Sequence, residues 1–125
     1  MLKIRKEQED VFRQRALADF ESRAIKHLRR DLGEQTAPFD DHELRRRVHE
    51  GITRAGSYGL TTEKQVMCFV DVTFLLGESF DAASDNTWVS QVLRNSMVSA
   101  GDRANLLLAT ACSLYQGKHI EKSRS

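Results

Sequence analysis

The sequence has almost nothing that would build a sheet. No stretch alternates apolar and polar residues with period two, and no Asn-Gly or Asp-Gly pair offers a hairpin turn. Proline is reduced to Pro38, so little interrupts a helical run. Cysteine occurs twice, at Cys68 and Cys112, with no CxxC pair and no histidines at metal spacing. Both read as small buried hydrophobes of a reducing compartment. No apolar run approaches the roughly 20 residues that a membrane-spanning helix needs. The opening MLKIRKEQED turns charged at once, without the apolar stretch of a secretory signal. A cytoplasmic protein is expected. An excess of one charge is lacking too. Nineteen Lys and Arg against 18 Asp and Glu leave +1, which gives attraction to nucleic acid or an anionic membrane little to act through.

The common catalytic motifs are missing as well. There is no GxSxG, Walker loop or GxGxxG, and the four histidines (His27, His42, His49 and His119) form no HExxH. His42 and His49 are seven residues apart on one expected helix, too far to share a metal. Cys68 has no base placed beside it by the sequence. The expectation is a protein without catalytic residues, cofactor or metal.

What the sequence has is helix. At 125 residues it is sized for one domain, and 40% hydrophobic with 30% charged residues suits a folded chain. Residues 6–32 lack Gly and Pro, and Phe12, Ala16, Phe20, Ala24, Leu28 and Leu32 recur in steps of four, predicting one long helix with Gly33 as its stop. At 1.5 Å per residue it is about 40 Å long, and its first two turns are candidates to project toward a partner. Residues 34–41 read as a loop. Asp40 with Glu43 has capping-box spacing, and Phe39 is placed to staple onto Leu44. The second helix carries Leu44, Val48, Ile52 and Ala55 inward and Arg45, Arg46, Arg47 and Arg54 largely elsewhere. Three consecutive arginines fan through about 200° on a helix and make no flat phosphate-binding patch.

Gly59 closes that helix, and Thr62 with Gln65 opens a third, over Glu63 to Leu76. The third helix is apolar nearly all round, as a central helix covered on several sides would be. Its one interior charge, Asp71, requires a partner, and an arginine of the second helix is the expected one. Gly77 stops it. In the acidic loop that follows, Phe80 reads first as a plug for the end of the core, with partner recognition as the alternative. Asp85 is placed to cap a short helix over residues 87–95 that turns Trp88, Val92 and Leu93 inward. A last helix from Asp102 to about Gln116 carries Leu106, Leu107, Ala111, Leu114 and Tyr115. The fold class is all-α: a compact bundle of four to five helices with a long N-terminal helix and a central apolar helix. It forms a single domain over 1–116, followed by a polar, disordered tail over 117–125.

Two helices joined by a glycine-containing turn at Gly59 invite a helix-turn-helix reading. The second of them, TTEKQVMCFVDVTFLL, offers only Lys64 and Gln65 to bases or phosphates, and the rest is apolar or acidic. No nucleic-acid partner is expected.

The string YGLTTEKQVMCFVDVTFLLGESFD followed by Trp88, with LADFESRAIKHLRR upstream, resembles small helical accessory proteins encoded beside type VI secretion effectors and PAAR proteins. The likeness covers about residues 2–95. Where a proline is expected after Gly77, this chain has Glu78. The resemblance implies a non-enzymatic co-chaperone that helps an adaptor chaperone load a secreted effector onto the PAAR-tipped spike. Aromatic and arginine anchors usually concentrate interface energy. The expected partner contacts are therefore Phe12, Arg13 and Phe20 on the first helix, with Phe80, Asp81 and Trp88 on and after the acidic loop. The alternative is an immunity protein neutralising a cognate toxin, and the long first helix also leaves self-association open.

Overall fold

Apolar residues at helical spacing in runs almost free of proline dictate helices. The computed structural model describes the backbone of residues 6–82 and 87–124, and the side chains of residues 14–82 and 87–116. Those residues form α1 (Lys6–Asp31), α2 (Gly33–Thr36), α3 (Asp41–Ser57), α4 (Glu63–Leu76), α5 (Thr87–Leu93) and α6 (Ala100–Arg124), with no strand among them. The all-α bundle expected from the sequence is the one found. Among the described residues no helix is long and apolar enough to cross a membrane.

The helix ends follow their local chemistry. Asp40 accepts the Glu43 amide at the start of α3. Thr62 and Gln65 complete a capping box that opens α4. The C-terminus of α3 is a Schellman turn: the Leu60 amide reaches the Ala55 carbonyl and the Gly59 amide that of Gly56, both at 3.0 Å. Gly59 takes φ +79° there, a conformation costly to any residue with a Cβ. Gly77, at φ +115°, ends α4. Ser99 Oγ accepts the Asp102 amide at the start of α6.

Several boundaries differ from the sequence expectation, among them the end of α5, at Leu93 instead of about Asn95. Gly33 does not stop α1. Leu32 leaves helical geometry and Gly33 opens the extra short helix α2, where a loop was expected. Thr36 ends that turn fully buried and donates its hydroxyl to the Leu32 carbonyl. The last helix begins at Ala100 and continues through Arg124, past the end expected near Gln116. The Asp85 cap falls outside the described residues.

The centre of the bundle is α4, with Val66, Cys68 and the whole run Phe69–Phe74 buried. The main contacts of α4 are with α6 and α3, while α1 packs chiefly on α3 and also touches α4. Packing on several sides is what the all-round apolar pattern requires. Helix α1 contributes Phe20, Ala24, Ile25 and Leu28, and α3 contributes Leu44, Val48 and Ala55. A Cβ built on Gly51 would lie 2.6 Å from Val70 Cγ2, so the absence of a side chain permits the close approach of α3 to α4. Helix α6 turns Ala104, Leu107 and Ala111 inward. Of the apolar residues that the last helix carries, Leu106 and Leu114 face out. On α5 the fully buried residues are Val89 and Leu93, whereas Trp88 and Val92 are only partly buried against the core.

Candidate protein-binding face

The arginines of α3 hold the acidic loop, with its expected contact residues Phe80 and Asp81, against the bundle. The consecutive three do fan apart. Arg45 points to Glu21 of α1 at 3.7 Å. Arg46 holds Glu43, Glu50 and Glu78 together, and hydrogen bonds to Glu43 and Glu78 raise its pKa. Arg47, expected toward solvent, is buried with its guanidinium 4.0 Å from the Phe74 ring centroid and 5.1 Å from that of Phe39. It donates to the Thr73 carbonyl, while its buried Nε–H has no hydrogen-bond partner among the described residues. Burial lowers its pKa.

The acidic loop after α4 is drawn onto the same helix. Glu78 binds Arg46 through its side chain and Arg54 through its carbonyl. Asp81 gives one oxygen to Arg54 and the other to the Tyr58 hydroxyl. Phe80 is 1% exposed, its ring centroid 5.0 Å from that of Phe69. Phe80 is therefore the plug, and Asp81 is a clamp inside the fold rather than a free anchor for a partner. The sequence signal for this was Arg54, which was assigned to a surface face.

Phe20 is 7% exposed and belongs to the core, so it too is withdrawn from the surface. Trp88 is partly buried, packed on one side against the core. The side chains of Phe12 and Arg13 lie outside the described residues, as does any projection of the first two turns of α1.

A second polar cluster joins α1 to α4. His27 Nε2 lies 3.0 Å from both oxygens of Asp71, and its Nδ1 lies 3.0 Å from Asp31 Oδ2. The partner of Asp71 is thus a histidine of α1, not an arginine of α3; Arg47 and Arg54 are engaged elsewhere. Burial holds the Asp71 carboxyl above its ordinary value, and the His27 hydrogen bond pulls the other way. Both imidazole nitrogens are engaged by carboxylates, one on α4 and one on α1 itself. Burial, reinforced by the charge of Asp71, pushes the Cys68 and Cys112 thiols up, against thiolate formation. Further along α1, Glu21 meets His49, Arg23 meets Glu63, and Arg29 donates to the Thr36 and Phe39 carbonyls. No group of three His, Cys, Asp or Glu among the described residues is placed to hold a metal ion.

The most exposed large apolar side chains among the described residues lie on α6 and just before it. Leu106 is 51% and Leu114 43% exposed on α6, and Met97 in the preceding turn is 92% exposed. Leu106, Ala109, Ser113 and Leu114 share the outward side at helical spacing. From Ala104 to Gly117 the sequence has no charged residue, so both the packed and the outward faces of this stretch of α6 are neutral. A surface helix ordinarily carries charge on its outer face. The uncharged run was the available signal, and naming its leucines without assigning them to a face left it unused. Comparison of the chain with protein-family models, with curated proteins and with solved structures finds no match.

Proposed function

We propose that this protein is a non-enzymatic, protein-binding accessory factor that docks its partner on the outward face of α6. The observation that carries the reading is that neutral face, where two leucines stand about half exposed in a charge-free run. Apolar surface that a monomer leaves uncovered marks an interaction site when it forms a patch. The resemblance carried by the Tyr58–Asp81 string and Trp88 supports a finer version. In it the partner is an adaptor chaperone, and the protein acts as its co-chaperone in loading a type VI secretion effector onto the PAAR-tipped spike. Thiols held against ionisation agree with a binding role.

Affinity purification of the tagged protein from its own cells, with copurifying proteins identified by mass spectrometry, tests this. Recovery of an adaptor chaperone with its effector or a spike-tip protein is expected, together with loss of effector secretion when the chain is deleted. Recovery of a toxin alone, neutralised in a one-to-one complex, would replace the co-chaperone role with immunity. Salt-sensitive, sequence-specific DNA binding would replace it with regulation.

A further inference from the structure

Where α3, α5 and α6 meet there is a cleft of about 490 Å³ lined by Ser57, Tyr58, Leu93, Arg94, Ser96 and Arg103. Its two arginines differ from most of those in the rest of the bundle. Arg23, Arg29, Arg30, Arg45, Arg46 and Arg54 each hold a carboxylate within 4 Å. Among the described residues no carboxylate pairs with Arg94 or Arg103. Arg94 stands exposed with its guanidinium 5.7 Å from the centroid of the Tyr58 ring.

Arg103 is fixed from below. Its Nη1 donates to the Tyr58 carbonyl at 2.9 Å and to the Leu93 carbonyl, the ends of α3 and α5, where helix dipoles favour a cation. Its Nε–H is buried without an acceptor among the described residues. The guanidinium is thus held in place by neutral carbonyls, and its charge is not cancelled by an anion. A preorganised donor of this kind loses little freedom on binding.

We propose that this cleft binds the carboxylates of an acidic peptide segment. Guanidinium groups recognise carboxylates with strong, geometrically specific hydrogen bonds. Two features favour a peptide over a lone oxyanion. The cleft has room for several side chains, and Met97 stands almost fully exposed next in sequence to Ser96, offering apolar contact to a residue flanking the acidic ones. The inference deepens the protein-binding role, resting on it only for the occupant being a peptide. It concerns a surface distinct from the leucines of α6.

The test is amide NMR titration of the full chain with a blocked peptide, Ac-Leu-Asp-Glu-Leu-NH2, alongside its uncharged counterpart Ac-Leu-Asn-Gln-Leu-NH2 and inorganic phosphate. The acidic peptide should shift the amides of Ser57, Ser96 and Arg94, and binding should weaken about tenfold in Arg94→Gln, the loss expected for one charged hydrogen bond. Arg94 is exposed, so this variant keeps the fold. In Arg103→Lys the same weakening is expected, with folding checked by circular dichroism. Equal shifts with the uncharged peptide, binding unaffected by Arg94→Gln, or phosphate binding as tightly as the peptide would each overturn the proposal. Each of these results would leave the partner purification to stand or fall separately.

Discussion

Asp71 is 8% exposed, and its two oxygens face the Nε2 of His27. Its pKa is raised, chiefly by burial. An unfolded aspartate titrates near about 4. Between that pH and the raised native value, the folded state holds more protons than the unfolded one, so this group's contribution to stability falls as pH rises. Glu43, Glu63 and Asp31 act oppositely: hydrogen bonds from Arg46, Arg23 and Arg30 lower their pKa values, and their contribution is lost as pH falls. Those three are common to the wild type and Asp71→Asn. The difference between the two proteins in urea-unfolding free energy therefore cancels Glu43 and Glu63 and reports Asp71 together with the His27–Asp31 pair it touches. Wild-type stability should decline relative to Asp71→Asn as pH rises from about 4, and a difference that does not change with pH would refute the assignment. At Phe80, truncation removes a ring that plugs the core against Phe69. Phe80→Ala should cost about 3–5 kcal/mol, the range for buried aromatics, measured by urea unfolding. A loss below about 1 kcal/mol would mean that Phe80 is not the plug.

Helix α4 joins its neighbours by close packing, and the sharpest case is Gly51. Alanine there would gain about 1 kcal/mol of helix propensity. Its methyl would meet Val70 Cγ2 at 2.6 Å, on a side chain that is itself fully buried and stiff at χ1. Overpacking of this kind costs about 1–3 kcal/mol. Gly51→Ala should therefore destabilise the protein by about 1 kcal/mol and become neutral or stabilising in a Val70→Ala background. Additive effects in the double-mutant cycle would argue against the contact. This contact was not legible in the sequence, where Gly51 is one more residue in a helical run. The bounds of α4 were legible to the residue, because Thr62, Gln65 and Gly77 each carry a local signal. What the sequence hid were pairings distant along the chain: His27 with Asp71 across 44 residues, and Arg54 with Asp81 across 27. Composition could place these charges on helices but not opposite one another. Four of the six expected contact residues are described, and three of those four turn inward through such pairings and core packing.

At the scale of the whole molecule, the polar clamps and the exposed apolar surface lie in different regions. Charged networks fasten α1 and the loop after α4 onto α3 and α4, whereas the neutral outward side of α6 has Leu106 and Leu114 about half exposed. Changing those two residues should leave the fold intact, since the inward side of α6 is made by Ala104, Leu107 and Ala111. The most direct measurement is partner recovery by the double variant Leu106→Glu/Leu114→Glu, compared with wild type at equal expression and equal helical circular dichroism. Recovery reduced at least about tenfold, as expected when two apolar anchors are replaced by charge at an interface, is the predicted result. Undiminished recovery by a folded double variant would contradict docking on α6.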